Sequence, residues 1–358
     1  LAIVMPTQTS TPSIQPILDR RASGERLSRE DLAHLLESPD WTSLVAAGHA
    51  ERMRRHAPEK VSYASFRIVN YTSVCNVGCT FCSFQDTEDS SRGYTLSLAE
   101  IETKTLEAKE WGCDAIFFQG GVNRHLPLSY YTDALSMIRS HGLSVRGFSP
   151  VELVRLAEKE KLPLPELLAI LKESGLTSVP GAGAEILTDH MREVLSPNKL
   201  SMREWCDAMG ECHKLDLPGS CNIVFGSVET TQDIVEHLGA LRDQQDLTGG
   251  FQSFIPWIFQ PQTKNFPIRH VKAWEYLRLL SASRLFLDNI DHVEVSVMVM
   301  GRELAELGLY AGADDVSSVV FEENVLASRG LKTVAAAQRY ITEAGFVPQR
   351  RSIDHLPL

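Results

Sequence analysis

From residue 61 to residue 330 the chain alternates short apolar runs with longer amphipathic ones, and no other feature restricts its fold as much. Strand-like runs occupy residues 65–69, 115–119, 144–148, 178–179, 220–225, 252–257, 292–297 and 315–319. Helical patterns, with apolar residues three and four apart, follow nearly every one, at 98–111, 130–140, 151–161, 165–174, 202–215, 231–245, 271–285 and 301–307. Such alternation builds a parallel sheet wound by crossovers, and eight of each kind is the count of a closed (β/α)8 barrel. The expected class is therefore α/β, a TIM-type barrel, although an open doubly wound sheet gives a similar string. Residues 1–60 read as an N-terminal arm, rich in Pro, Ser and Thr over 6–15, followed by a small helical extension. There Ser28 and Asp31 bracket a helix start before Leu32, Leu35 and Leu36. Residues 331–358 read as a C-terminal helix and a short tail carrying Arg350 and Arg351.

Acidic side chains outnumber basic ones, 46 to 35, for a formal charge of −11. A broad phosphate-binding surface is not expected on such a chain, so nucleic acid is not an expected partner. No apolar run reaches the roughly 18 residues that a membrane span requires. The apolar start, Leu1 to Met5, is too short for a secretory segment, and a cytoplasmic location is expected. Seven cysteines are too few and too dispersed for a disulfide framework. Four of them, Cys113, Cys206, Cys212 and Cys221, fall in regular segments and read as inert buried thiols.

The other three are crowded into Cys75-Asn76-Val77-Gly78-Cys79-Thr80-Phe81-Cys82, just after the first strand. Structural zinc closes with four protein ligands, usually as two pairs, and no second pair lies at a finger-like distance. Three thiolates on an iron-sulfur cluster leave one iron open to a substrate or cofactor. Three unligated loop thiols are the remaining alternative, disfavoured because clustered exposed thiols oxidise readily.

A C-x3-C-x2-C spacing with an aromatic before the last cysteine, on the loop after strand one, resembles the radical S-adenosylmethionine enzymes. The resemblance implies a [4Fe-4S] cluster on Cys75, Cys79 and Cys82 whose open iron chelates S-adenosylmethionine, and reductive cleavage to methionine and a 5′-deoxyadenosyl radical. It implies Phe81 beside the adenine and Gly120-Gly121 beside the methionine amino group. Further stretches, Asn70 to Val74, Phe148-Ser149-Pro150-Val151-Glu152, Val179 to Leu187 and Thr248-Gly249-Gly250-Phe251, resemble the subgroup containing the radical enzymes of the futalosine route to menaquinone and the deazaflavin-ring synthase. Within it the chain is most similar to the cyclic dehypoxanthinyl futalosine synthases, on Pro180 to Leu187, on Ile255 to Thr263 and on Glu322-Glu323-Asn324-Val325. In that family a ribose hydrogen of dehypoxanthine futalosine is abstracted, the carbon radical attacks the aromatic ring, and a spirocycle results. A nucleoside-derived small molecule is then the substrate, and a flavodoxin or ferredoxin the electron donor. The chain departs from the family pattern at 220–226, at 296–299 and at 312–320, where Phe225 replaces a tyrosine and Asp314 an asparagine.

The resemblance also marks Ser149, Glu185 and Arg192 as cofactor contacts. Glu185 suits the ribose or amine, or alternatively a helix N-terminus. Arg192 suits the cofactor carboxylate through its planar fork, or alternatively solvent. Trp257, Phe259 and Gln260 make a wall suited to a planar acid or sugar, with Trp257 also readable as core packing. A carboxylate among Asp288, Asp314, Glu322 and Glu323 is expected to take the proton released on cyclisation. His213, His237 and His292 lie in regular segments and read as structural.

Overall fold

A computed structural model describes residues 13–260, 266–317 and 331–358 in full and 318–321 in backbone. Its eight principal strands are β1 (Lys60–Asn70), β2 (Ala115–Gln119), β3 (Ser144–Gly147), β4 (Leu176–Ser178), β5 (Gly219–Phe225), β6 (Phe251–Ile258), β7 (His292–Val293) and β8 (Asp315–Phe321), all paired in parallel. Ladder pairing runs from β4 through β3, β2 and β1 to β8, and separately from β5 through β6 to β7. Two seams join the arcs. At one, the Val179 and Gly181 N–H groups donate to the Pro218 and Ser220 carbonyls at 2.9 and 2.8 Å. At the other, Glu294 bridges Asp315, and the Asp314 and Val295 N–H groups donate to the Val293 and Asp315 carbonyls at 3.0 and 2.8 Å. The ring is therefore a closed barrel and not an open sheet. Parallel strands buried on both faces need continuous apolar runs, and Val61, Val69, Ile116, Phe118, Val145, Ile223 and Phe254 have no exposed surface.

Three helices precede the barrel: α1 (Gln15–Ala22), α2 (Arg29–Glu37) and α3 (Trp41–Arg55). The crossovers carry α4 (Leu98–Glu110), α5 (Leu128–Ser140), α6 (Pro150–Glu160), α7 (Leu164–Ser174), a short α8 (Asp189–Leu195), α9 (Met202–Lys214), α10 (Thr231–Thr248), α11 (Ala273–Phe286), α12 (Val297–Met300) and α13 (Arg302–Leu309); α14 (Val334–Glu343) comes after β8. Five helices start at a local signal that is legible in sequence. Ser28, Ser97, Ser149, Ser201 and Thr230 each accept from the N–H three residues on, and the acidic residue there returns the bond to the cap. Helix α3 lies directly on α11: a Cβ on Gly48 would stand 2.5 Å from the Ala311 carbonyl oxygen and 2.9 Å from Ser281 Cβ.

Two elements differ from the sequence reading. The seventh strand stops at Val293, because Ser296 caps the Val299 N–H and turns the chain into α12. The C-terminal tail forms a ninth strand, β9 (Val347–Arg350), paired with β1 from Lys60 to Tyr63, below the stretch of β1 that β2 occupies from Phe66. Residues 351–355, directly after β9, plug the base of the barrel. Arg351 forks onto Asp315, with Nη2 2.8 Å from Oδ1, and stands 3.6 Å from Glu294. His355 meets Glu294 at 3.1 Å, while Arg146 and Gln252 hold the Ile353 and Asp354 carbonyls at 2.6 and 2.8 Å.

At the opposite end the loop after β1 is seated on the end of β2. The Gly121 N–H donates to the Thr72 carbonyl at 2.8 Å, and a Cβ on Gly121 would lie 2.3 Å from the Val74 carbonyl oxygen. One on Gly120 would meet the Tyr71 ring at 2.8 Å. Gly121 is required by the approach of the protein's own backbone, and Gly120 by the Tyr71 ring.

Removing the cation at the base by Arg351→Ala leaves two carboxylates buried without it, and a loss of about 3–5 kcal/mol is expected. Urea unfolding measures it, and the loss should shrink as pH falls, because the stranded carboxyls then bind protons. Gly121→Ala should leave far-UV circular dichroism unchanged but displace the cysteine loop, so that iron retained after anaerobic reconstitution falls severalfold.

Candidate functional site

All eight strands run to one rim, where barrels of this kind keep their chemistry. The loop after β1 folds back through bridges from Thr72 to Thr95 and from Val74 to Asp86, with the Cys75 N–H on the Asp86 carbonyl at 3.0 Å. Cys79 is buried, whereas Cys75 and Cys82 are half-buried. Burial pushes the Cys79 thiol up to about 12, against the pull of nearby Lys199. The Val122 N–H already points at Cys75 Sγ, 3.4 Å away, and Gln85 Nε2 donates to the Cys79 carbonyl at 2.8 Å. The other four cysteines lie elsewhere in the packing, and burial holds their thiols protonated, Cys113 at about 11 and Cys206 and Cys212 at about 12.

A second segment clamps the cysteine loop from the far side of β4. The Thr80 N–H and hydroxyl both donate to the Leu195 carbonyl, at 3.0 and 2.8 Å, and Asn198 Nδ2 donates to the Val77 carbonyl at 2.9 Å. Next to Asn198, Lys199 turns inward. Its Nζ lies 2.8 Å from Glu185 Oε1 and 5.6 Å above the Phe81 ring. Burial opposes the charge on Lys199, but Glu185 outweighs it and holds the ammonium above its ordinary value.

Glu185 itself sits at φ 39°, a left-handed backbone, and its side chain is buried. Its Oε2 accepts from Arg192 Nη1 at 3.2 Å, and the same Nη1 donates to the Gly183 carbonyl at 2.8 Å. Arg192 Nε and Nη2 are buried without a hydrogen-bond partner. Ser149 caps α6 through Glu152, whose other oxygen accepts from the Tyr71 hydroxyl at 2.6 Å and the Gly120 N–H at 3.2 Å. Burial and Glu152 together raise the Tyr71 hydroxyl well above its usual range, so it stays a donor.

Phe81 meets Phe259 edge-on at 5.4 Å and Phe266 at 6.5 Å, an aromatic wall that joins the cysteine loop to the end of β6. Trp257 and Gln260 stand at that same strand end. Gln260 Nε2 reaches the Ile258 and Val299 carbonyls at 3.2 and 3.3 Å, while Trp257 Nε1 and Asn222 Oδ1 are buried without partners. Behind them His237 accepts from the Leu187 N–H and donates to the Asn222 carbonyl, and burial lowers it to about 3, so it remains neutral.

Two expected residues fall at the wrong end of the barrel. Asp288 follows α11 and ion-pairs with Arg26 at 3.2 Å, while its carbonyl accepts from Arg55 at 2.6 Å. Asp314 immediately precedes β8, and is held at the base by Arg284 and by His292 Nδ1 at 2.6 Å, with His56 at 3.6 Å. Burial alone would raise the Asp314 carboxyl, but Arg284 and His292 outweigh it and hold it far below the carboxylate range. In a parallel barrel a residue just before a strand lies away from the rim, so neither is available to the chemistry there. Glu322 and Glu323 lie outside the described residues. Lys199 is the rim residue that sequence reasoning missed; it sits in a loop with no periodic signal, and only its contacts disclose it.

The site fits a cluster and its cofactor. Cys75, Cys79 and Cys82 lie on one loop at the rim and offer three thiol donors, a set that leaves one iron of a four-iron cluster open. Buried polar atoms normally find partners, whereas Arg192, Asn222 and Trp257 each keep polar atoms without one.

Residues 69–241 match the Radical SAM superfamily, and residues 248–356 match the CofH/MqnC C-terminal region. The chain is 36% identical to the cyclic dehypoxanthine futalosine synthase of Halalkalibacterium halodurans, covering 96% of this chain and 94% of that protein. It is 34% identical to the synthase of the same name from Streptomyces coelicolor, over 97% and 89% of the two chains. It is also 31% identical to the aminodeoxyfutalosine synthase of Thermus thermophilus, over 95% and 94%. The crystal structure of methylornithine synthase superposes with a TM-score of 0.72 at 17% identity, covering 94% of this chain and 98% of that one, which establishes the fold alone. This enzyme, like the members of the superfamily, uses a [4Fe-4S] cluster with S-adenosylmethionine. The chain belongs to the radical S-adenosylmethionine superfamily, in the branch that carries the CofH/MqnC C-terminal region.

Proposed function

We propose that this enzyme cyclises dehypoxanthine futalosine to cyclic dehypoxanthinyl futalosine, a ring closure that forms a C–C bond with net loss of two hydrogens, in the cytoplasm and with a flavodoxin or ferredoxin as electron source. The observation that carries the reading is the near-full-length likeness to two cyclases, which takes in both the radical region and the C-terminal region. The bound cluster and S-adenosylmethionine would supply a 5′-deoxyadenosyl radical. The chain's own residues do the rest. Cys75, Cys79 and Cys82 hold the cluster, and the two free N–H groups of Arg192 meet a carboxylate. Glu185, charge-balanced by Lys199 and Arg192, offers a fixed acceptor beside it. Asn222 and Trp257 present an acceptor and a donor to the polar edges of the substrate, while Phe81, Phe259 and Phe266 exclude water.

The reading is tested by anaerobic reaction of the reconstituted, reduced protein with S-adenosylmethionine and dehypoxanthine futalosine, with products read by mass spectrometry. A product lighter than the substrate by two hydrogens is expected. Formation of 5′-deoxyadenosine with the futalosine untouched would move the substrate elsewhere, for instance to that of the aminodeoxyfutalosine synthases. In the Cys79→Ala variant no 5′-deoxyadenosine should form, because two thiolates do not hold the cluster; wild-type rates there would refute the ligand assignment.

A further inference from the structure

Lys199 has no role in the proposed cyclisation beyond balancing Glu185, yet its ammonium is buried and held at the rim. Its side chain is 11% exposed, and its ammonium is fixed on Glu185 Oε1 at 2.8 Å. It stands 5.6 Å over the ring of Phe81, which immediately precedes Cys82 in the cysteine loop. The same loop that delivers it grips the cysteine loop through Leu195 and Asn198, so the backbone beside Lys199 is tied to that loop by three hydrogen bonds, and Glu185 holds the end of the side chain. Gly183 flanks it, and a Cβ there would sit 3.5 Å from Nζ.

We propose that Lys199 is a positioning residue that tunes the cluster: a clamped positive charge over the Phe81 side of the cysteine loop, which favours the reduced cluster and fixes Glu185 in its left-handed turn. The inference rests on the cluster assignment and not on the identity of the substrate. Reduction adds one electron, from the external flavodoxin-type or ferredoxin-type donor, to a group that the protein places in a low-dielectric setting. A fixed cation there stabilises the more negative state, whereas the same charge in water would be screened. Glu185 works in the opposite sense, so the pair brackets the potential.

The test is an anaerobic redox titration of the reconstituted holoenzyme, monitored by electron paramagnetic resonance, with iron content and thermal melting measured alongside. Lys199→Met should retain iron but disfavour reduction about tenfold, a shift of about 59 mV to lower potential for one electron. Lys199→Arg should restore the wild-type value, Glu185→Gln should shift it upward, and the Lys199→Met, Glu185→Gln double variant should return close to wild type. Should Lys199→Met fail to fold, the Glu185→Gln and double variants still decide the matter. Wild-type potentials throughout, or Lys199→Met and Glu185→Gln moving in the same direction, would overturn the proposal.

Discussion

Closure of the strand ring is the constraint on which the rest of this structure depends. Eight parallel strands that return on themselves send every outgoing loop to one rim and every incoming loop to the other. The short seams at Val179 to Ser220 and at Val293 to Asp315 complete that ring with only a few backbone bonds. They bring the loop after β1, which carries the cysteines, within reach of the loop after α8 and of the end of β6. Without closure, Phe81, after β1, and Phe259, after β6, would belong to two separate sheets.

The two ends of the barrel treat buried charge differently. At the base Arg351, Asp315, Glu294, Arg284 and Asp314 form ion pairs with one another, and Arg284 also donates to the Gly312 carbonyl, a network whose worth lies in leaving none of these five charges unpaired. At the rim Arg192 keeps two N–H groups unsatisfied, and Asn222 and Trp257 one polar atom each. Unsatisfied buried groups cost about 1–3 kcal/mol apiece. A ligand that satisfied them would recover that cost, which is why the proposed function assigns them to binding.

The cysteine triplet and the strand alternation were legible because both are written in short-range spacing. The glycine pair was legible as a motif, but its reason was not: the contacts that exclude a Cβ come from Tyr71 and Val74, on a loop far back along the chain. Asp314 was misplaced because a polar run next to a strand pattern does not declare which end of the strand it occupies. The seven residues of β8 span about 20 Å, so that single ambiguity moved a carboxylate the full height of the barrel. Lys199 gave no signal, since its neighbours Glu185, Phe81 and Cys79 reach it from other loops.

The amino-acid sequence by itself determined the class of fold, the cysteine triplet and the family resemblance, since periodicity, caps and cysteine spacing are local properties of the chain. Only the tertiary structure decided which polar residues face the chemistry, which seal the base, and where the C-terminal tail goes. Those outcomes depend on the register of parallel strands and on loop contacts between distant segments, and a desolvated charge is placed by the partners that close around it.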